Sequence, residues 1–149
     1  MRIVFALIAV LTGFQAGDAA KPWEVPYQIE GVWKMTDESG DLGRVKIFVR
    51  NDTLYGVIQD IFGVPRGQTA ACSNCSDSLK GKPLIGMTIL KDFIQSDRIW
   101  KKGRMLDYRE GKFYKAELEI SPDESTLNVF SYVRFILKVG RTQKWVKEQ

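Results

Sequence analysis

The sequence predicts an all-β protein folded as an antiparallel up-and-down barrel of eight strands. Several segments alternate apolar and polar residues with a period of two, which is typical of strands buried on one face. Clusters of Gly, Asn, Asp, Ser and Pro separate these segments at short, even spacing, and no segment has a convincing amphipathic helix pattern. Consecutive hairpins without a long crossover favour a closed meander over a sandwich, because closure leaves no exposed strand edge.

The first 19 residues have the features of a secretory signal peptide, which would leave residues 20–149 as a single barrel domain. Arg2 supplies the positive start, and residues 3–14 form an apolar run too short for a membrane anchor. Gly17 and Ala19 place small residues where signal peptidase reads them. No later stretch is long and apolar enough to cross a membrane, so we expect an exported protein without an integral membrane segment after cleavage.

The first predicted strand, residues 29–36, opens on Gly31-Val32-Trp33. A glycine at this position lets another backbone approach closely, while the indole two residues later is large enough to plug one end of a small barrel. We therefore expect Gly31 and Trp33 to take part in barrel closure.

The later strands follow from alternation between turn signals. In residues 44–50 one face is apolar and the other basic, and Asn51-Asp52 joins this strand to residues 53–62 as a hairpin. After a short polar connection at residues 91–97, the pattern resumes, and it is clearest in residues 113–120. The remaining predicted strands are residues 84–90, 98–106, 126–134 and 136–146.

Residues 63–83 form a long connection that contains both cysteines, as Cys72-Ser73-Asn74-Cys75. Zinc would require two more Cys or His ligands, and the sequence has none, so we expect no metal and no cofactor. A thioredoxin-type dithiol needs a helix N-terminus in a βαβ unit, whereas this loop precedes a strand. In an exported protein the spacing therefore favours a disulfide that clips the loop over redox catalysis.

The absence of histidine is the most informative feature of the composition. It removes the usual general base at neutral pH, so we do not expect an enzyme. Asp107 and Glu110 flank a predicted turn, and turn composition accounts for both carboxylates. The formal net charge of +4 is mild and scattered, which together with export argues against a nucleic-acid partner.

Six short motifs occur in order along nearly the whole chain after the leader. They are Gly31-x-Trp33, Leu54-Tyr55-Gly56-x-Ile58, residues 82–90, Trp100-x-x-Gly103-x-x-x-Asp107, Gly111-Lys112-x-Tyr114 and Gly140-Arg141-Thr142-Gln143-x-Trp145. In these motifs the chain resembles the family of exported bacterial proteins known as domain of unknown function 2147. That resemblance implies a periplasmic or secreted protein and carries no agreed activity.

The same family is similar in fold to the lipocalin-like, or calycin, barrels. The resemblance implies an eight-stranded barrel in which Trp33 sits at the closed end and Arg141 packs over its ring. One position departs from the family pattern, since Ser131 stands where a glycine is usual.

An eight-stranded barrel is just wide enough either to be filled by side chains or to hold one small ligand. The leading expectation is a binding module for a small apolar or amphipathic molecule. The candidate lining is Trp33, Val45, Ile47, Val49, Met87, Trp100, Tyr114, Ala116 and Leu118. The alternative is a module of the cell envelope with a filled barrel, whose loops, above all residues 63–83, bind another protein.

Overall fold

In the computed structural model, which describes residues 28–65 and 69–149, the chain forms a closed barrel of eight antiparallel strands in sequence order. The strands are β1 (Gly31–Asp37), β2 (Gly40–Arg50), β3 (Thr53–Ile61), β4 (Thr88–Ser96), β5 (Ile99–Asp107), β6 (Lys112–Ile120), β7 (Thr126–Arg134) and β8 (Lys138–Lys147). Strand β8 pairs with β1, which confirms the predicted up-and-down barrel. The predicted signal peptide and its cleavage site lie outside the described residues.

Apart from the strands, the fold has one short 3-10 helix, Asp77–Leu79, within the described part of the connection between β3 and β4. None of the helical structure in residues 28–65 and 69–149 has the length and hydropathy of a membrane span. The interior is one apolar cluster to which every strand contributes, and Trp33 and Trp145 are among its largest fully buried side chains.

Strand β4 is the element that the sequence predicted wrongly. Alternation predicted a strand at residues 84–90 and a polar connection at 91–97, whereas β4 runs from Thr88 to Ser96. Asp92 has a positive φ of 65°, and the register of β4 with β3 shifts between Leu90 and Phe93. The irregular backbone breaks the period of two there, because a bulge shifts the side chains that follow it to the other face.

The two ends of the barrel differ. At the closed end, residues 28–30 cross the barrel before β1, Ile29 is buried, and the Trp33 indole N–H donates a hydrogen bond to the Ile29 carbonyl at 2.8 Å. At the open end lie the β1–β2 turn, residues 62–65 and 69–87, and the turns at residues 108–111 and 135–137.

The cation over the Trp33 ring is Lys147, not Arg141 as the family resemblance implied. The Lys147 ammonium lies 5.5 Å from the ring centroid and donates to the Gln28 carbonyl at 2.6 Å. In the β1–β8 register Trp33 pairs with Lys147, whereas Arg141 pairs with Ser131 of β7, about 20 Å away along the strand. Arg141 therefore belongs to the open end of the barrel.

The predicted disulfide between Cys72 and Cys75 is present. Both cysteines are buried, and the backbone N–H of Cys72 donates to the Lys82 carbonyl at 2.9 Å, which holds the two arms of the loop together. The clipped loop lies against the β5–β6 turn. Asn74 donates its side-chain amide to the Arg109 carbonyl at 2.6 Å.

Substitution of Gly103 tests the packing under the β4 irregularity. A Cβ built on Gly103 would lie 2.2 Å from the ring of the buried Phe93. We expect Gly103→Ala to lower the free energy of unfolding by about 1–3 kcal/mol through overpacking, measured by urea denaturation. The double variant Gly103→Ala/Phe93→Leu should be more stable than the sum of the two single changes predicts, because the smaller side chain relieves the clash. Simple additivity would contradict this account.

The contact between Lys147 and Trp33 can be tested with a matched pair of variants. We expect Lys147→Gln to lower the free energy of unfolding by about 1 kcal/mol, because it removes the cation over Trp33 and the bond to the Gln28 carbonyl. Arg141→Gln should stay within about 0.5 kcal/mol of the wild type, because that side chain is 72 % exposed. A larger loss at position 141 than at 147 would overturn the assignment.

Candidate functional site at the open end of the barrel

A cavity of about 220 Å³ opens at this end of the barrel. Its lining is Asp37, Glu38, Met105, Asp107, Arg109, Glu110, Tyr114, Ser131, Tyr132, Val133, Val139, Gly140, Arg141, Thr142 and Gln143. The volume lies below the roughly 300–1,000 Å³ of pockets that hold drug-sized ligands. The cavity therefore suits a small molecule or one end of a longer one.

Strands β7 and β8 supply the hydrogen-bond donors of this cavity. Trp145 is fully buried, so Gln143 and Arg141, two and four residues earlier in β8, share its inward face. The Gln143 amide oxygen accepts the Trp145 indole N–H at 2.8 Å, which leaves its NH₂ group as a donor. Ser131 is opposite Arg141 in the register, so it adds a hydroxyl to the cavity.

Glu110 connects two of the lining side chains. The Tyr114 hydroxyl donates to one oxygen of the carboxylate, and the Arg141 guanidinium lies 3.3 Å from the other. The bond from Tyr114, followed by the charges of Arg141 and Lys112, holds the pKa of Glu110 below its ordinary value. The same bond raises the pKa of Tyr114. At neutral pH the Glu110 side chain is therefore an ionised carboxylate that accepts a hydrogen bond from the Tyr114 hydroxyl. Its contact with Arg141 is longer and exposed to solvent.

A second set of charges fixes the turn that carries Glu110. The Arg109 guanidinium lies 2.8 Å from the carboxylate of Asp37, which is 14 % exposed. Asp107 accepts the backbone N–H groups of Arg109 at 3.0 Å and of Glu110 at 3.2 Å. Both aspartates therefore have internal partners, and the turn role predicted for Asp107 agrees with these bonds.

Burial alone would raise the pKa of Asp37, but hydrogen bonds outweigh it. The Ser39 hydroxyl and backbone N–H both donate to this carboxylate, at 2.5 and 2.7 Å, and Arg109 adds its charge. The net effect is a pKa below the ordinary value of 3.8. Asp37 is therefore an ionised structural partner of Arg109 at neutral pH.

The disulfide loop supports the same turn from outside. Gly111 has a positive φ of 73°, and a Cβ there would lie 1.9 Å from the Asn74 carbonyl oxygen. Only glycine allows the loop backbone to approach the turn this closely. The loop and the turn are therefore packed as one unit beside the cavity.

The residues predicted as a ligand lining lie in four different places. Five of them are at most 1 % exposed and belong to the packed core: Trp33, Val45, Ile47, Ala116 and Leu118. Val49 and Trp100 line a cavity at the closed end, and Met87 lines a shallow groove along residues 79–91. Among these nine residues Tyr114 lines the open-end cavity. The alternation of apolar and polar residues predicted which side chains face inward, but not how far each one lies along the barrel axis.

Sequence reasoning missed Arg109, Glu110 and Gln143 as lining residues, and it assigned Arg141 to the other end. Arg109 and Glu110 lie in a turn, where charged residues are common and carry no distinct signal. A usable signal existed for β8. Its first six residues contain one large apolar side chain, that of Val139, so neither face of this stretch is an apolar core face and the inward face is not packed.

The cavity at the closed end is larger, about 640 Å³, and is lined by Gln28, Ile29, Glu30, Val49, Asp52, Ile94, Gln95 and Trp100. Two of its polar groups, on Glu30 and Trp100, are less available to a ligand. The Glu30 carboxylate accepts the Val49 backbone N–H at 2.7 Å. The Trp100 indole nitrogen has no acceptor among the described residues, but it is itself inaccessible to solvent. We therefore place the candidate site at the open end.

Comparisons with known proteins bear on the family and the fold. Residues 31–147 match the model of a family described as "Uncharacterized protein conserved in bacteria", domain of unknown function 2147. Comparison with curated proteins finds no match. Among solved structures the chain is similar to protein HP1028 of Helicobacter pylori, described as a member of the lipocalin family. The TM-score is 0.71 at 16 % identity, covering 83 % of this chain and 85 % of that chain. The similarity confirms a lipocalin-like fold.

The ion pair under the turn predicts how stability depends on pH. A carboxyl group whose pKa is depressed by folding adds stability above its unfolded pKa, and this contribution is lost as the pH falls through the folded pKa. We expect Asp37→Asn to lower the free energy of unfolding at neutral pH by about 1 kcal/mol. The difference from the wild type should begin to shrink below about pH 4, where the carboxyl of the unfolded chain takes up a proton, and should disappear as the pH falls through the lowered folded pKa.

The control is Asp52→Asn, an exposed aspartate of the β2–β3 turn for which no side-chain bond occurs among the described residues. It should change the free energy of unfolding by less than about 0.5 kcal/mol at every pH. A loss at Asp37→Asn that persists at low pH would show that the ionised carboxylate is not the stabilising form.

Proposed function

Because the chain belongs to the bacterial family known as domain of unknown function 2147 and has a lipocalin-like barrel, we propose that it binds a small amphipathic molecule in the open-end cavity. The proposal rests on the convergence of hydrogen-bond donors on that cavity. Within the described residues the Gln143 amide N–H and the Ser131 hydroxyl make no hydrogen bond, and Arg141 makes one long bond to Glu110. Such donors match a head group rich in acceptors.

The head group that fits best is a carboxylate. Four carboxylates and two arginines line the cavity, so net charge does not favour an anion. The partners of these groups do, because three of the four carboxylates are already engaged: Asp37 and Asp107 are bound to Arg109, and Glu110 is held by Tyr114. Arg141 is the arginine whose ion pair is long and exposed, and an exposed pair of this kind contributes about 0–1 kcal/mol. A ligand carboxylate, bound bidentately, would replace that contact with a stronger one.

The apolar part of the ligand would point outward. Ser131 and Arg141 lie one level further into the barrel than Val133 and Val139, which pair with each other near the ends of their strands. An amphipathic molecule that enters head first would therefore place its chain against the two valines. Beyond them the β7–β8 turn continues with exposed apolar side chains.

We propose a binding role rather than an enzymatic one. The sequence contains no histidine, and the side chains of Asp37, Asp107 and Glu110 are bound to internal partners rather than to a nucleophile. No group of three or more metal-ligating side chains occurs among the described residues. An extracytoplasmic location fits this role, since the disulfide is stable in an oxidising compartment.

Calorimetric titration with three matched ligands tests the proposal: decanoate, decanol and decylamine. We expect decanoate to bind most tightly and decylamine least. Arg141→Gln should weaken decanoate binding by about tenfold or more, as expected for the loss of a charged hydrogen-bond partner, and should change decanol binding by less than about twofold. Arg104→Gln is the control, because Arg104 pairs with Asp92 away from the cavity.

Three results would contradict the proposal: no binding of any of the three ligands, tightest binding of decylamine, or equal decanoate affinity in the Arg141→Gln variant and the wild type. Native mass spectrometry of protein purified from its host adds an independent measurement, since a bound amphiphile would be detected as added mass. If neither method detects a ligand, the alternative of a protein-binding envelope module with a filled barrel replaces this one.

A further inference from the structure

The β7–β8 turn exposes three consecutive large apolar side chains. Phe135, Ile136 and Leu137, which we call the apolar tip, are 84 %, 96 % and 74 % exposed. They lie beyond the strands at the open end of the barrel and do not belong to the hydrophobic core. Exposed runs of this kind are costly in a water-soluble surface and mark an interaction site when they occur.

The hairpin that carries the apolar tip is basic throughout. From Thr126 to Lys147 it contains no Asp or Glu and five cations, namely Arg134, Lys138, Arg141, Lys144 and Lys147. Arg134 and Lys138 border the tip directly. Lys138 pairs with Glu117 of β6 and Arg141 with Glu110, whereas Arg134 has no ion pair within the described residues. The surroundings of the tip therefore favour an anionic partner.

We propose that the apolar tip inserts into the surface of a membrane that contains anionic lipids. Aromatic and aliphatic side chains flanked by Lys and Arg match the two layers of such a surface. The apolar groups enter the boundary between head groups and acyl chains, and the cations contact the phosphates. The open end of the barrel then faces the lipids. This inference does not rest on the proposed ligand, since it uses only the tip and its charges.

A second copy of the chain fits the apolar tip less well. A stable interface buries about 800 Å² on each partner, which exceeds what three side chains on a convex turn provide. Tip-to-tip contact would also bring Arg134 and Lys138 of both copies together. Strand addition is not available in the described barrel, because its strands form a closed ring.

Co-sedimentation with phosphatidylcholine vesicles, with and without phosphatidylglycerol, tests the proposal. All proteins carry the full coding sequence, and mass spectrometry verifies that they share one N-terminus after purification. We expect the wild type to bind the anionic vesicles, with affinity that falls as salt is raised. Phe135→Ser/Ile136→Ser/Leu137→Ser should weaken binding by about tenfold or more, because it removes the inserted apolar surface. Arg134→Gln/Lys138→Gln should weaken it by about tenfold on anionic vesicles only.

Two controls are matched to these changes. Ile94→Ser removes an apolar side chain that is 51 % exposed near the closed end, and Lys101→Gln/Lys102→Gln removes two exposed charges from β5. Both should leave vesicle binding within about twofold of the wild type, because neither position borders the tip. Thermal unfolding should show that the tip variant remains folded, since its side chains contact solvent.

Failure of the wild type to bind anionic vesicles, or equal binding by the tip variant, would overturn the proposal. Sedimentation equilibrium without vesicles covers the remaining alternative. A dimer that disappears in the tip variant would assign the tip to a second copy and reject the lipid surface. The vesicle assay contains no decanoate and the calorimetric assay contains no vesicles, so failure of one proposal is distinguishable from failure of the other.

Discussion

The pairing of β8 with β1 is the constraint on which the rest of the structure depends. It turns a meander into a ring, so that every strand gains a face that solvent cannot reach. The ring of eight strands is narrow enough for side chains to fill its middle, and Trp33 and Trp145 do so from the two strands that close it. What space remains lies at the ends, where the strands separate into turns.

Closure also explains why the two ends differ in chemistry. At one end the chain crosses the barrel, and the Ile29 carbonyl accepts a hydrogen bond from the Trp33 indole N–H. The other end is open because turns and the disulfide loop surround it without crossing it. Side chains that face inward there reach water, so the same inward face that is apolar at Trp145 is polar at Gln143 and Arg141.

The sequence predicted those strands that have one face in the core and the other in water, because their apolar and polar residues then alternate. Residues 44–50 and 113–120 were read correctly because their side chains alternate between buried and more exposed positions over most of their length, at residues 44–47 and 115–120. The bulge at Asp92 concealed β4, since local backbone geometry of this kind has no signature in the alternation. The site was less predictable. Register decides whether Lys147 or Arg141 covers Trp33, and register depends on pairings between residues that are distant in sequence. Arg109 and Glu110 line the cavity because the folded chain places the β5–β6 turn beside it, and local sequence does not encode that position.

The Cys72–Cys75 disulfide has a consequence for recognition that differs from its effect on stability. It restricts the conformations of a loop that contacts the Arg109 carbonyl and the turn ending at Gly111. That turn presents Glu110, and through it Tyr114 and Arg141, to the cavity. Because the loop is ordered when the chain folds, the entropy of arranging these side chains is lost before any guest molecule arrives. The open end is thereby preorganised, and binding of the proposed ligand would not have to oppose that loss a second time.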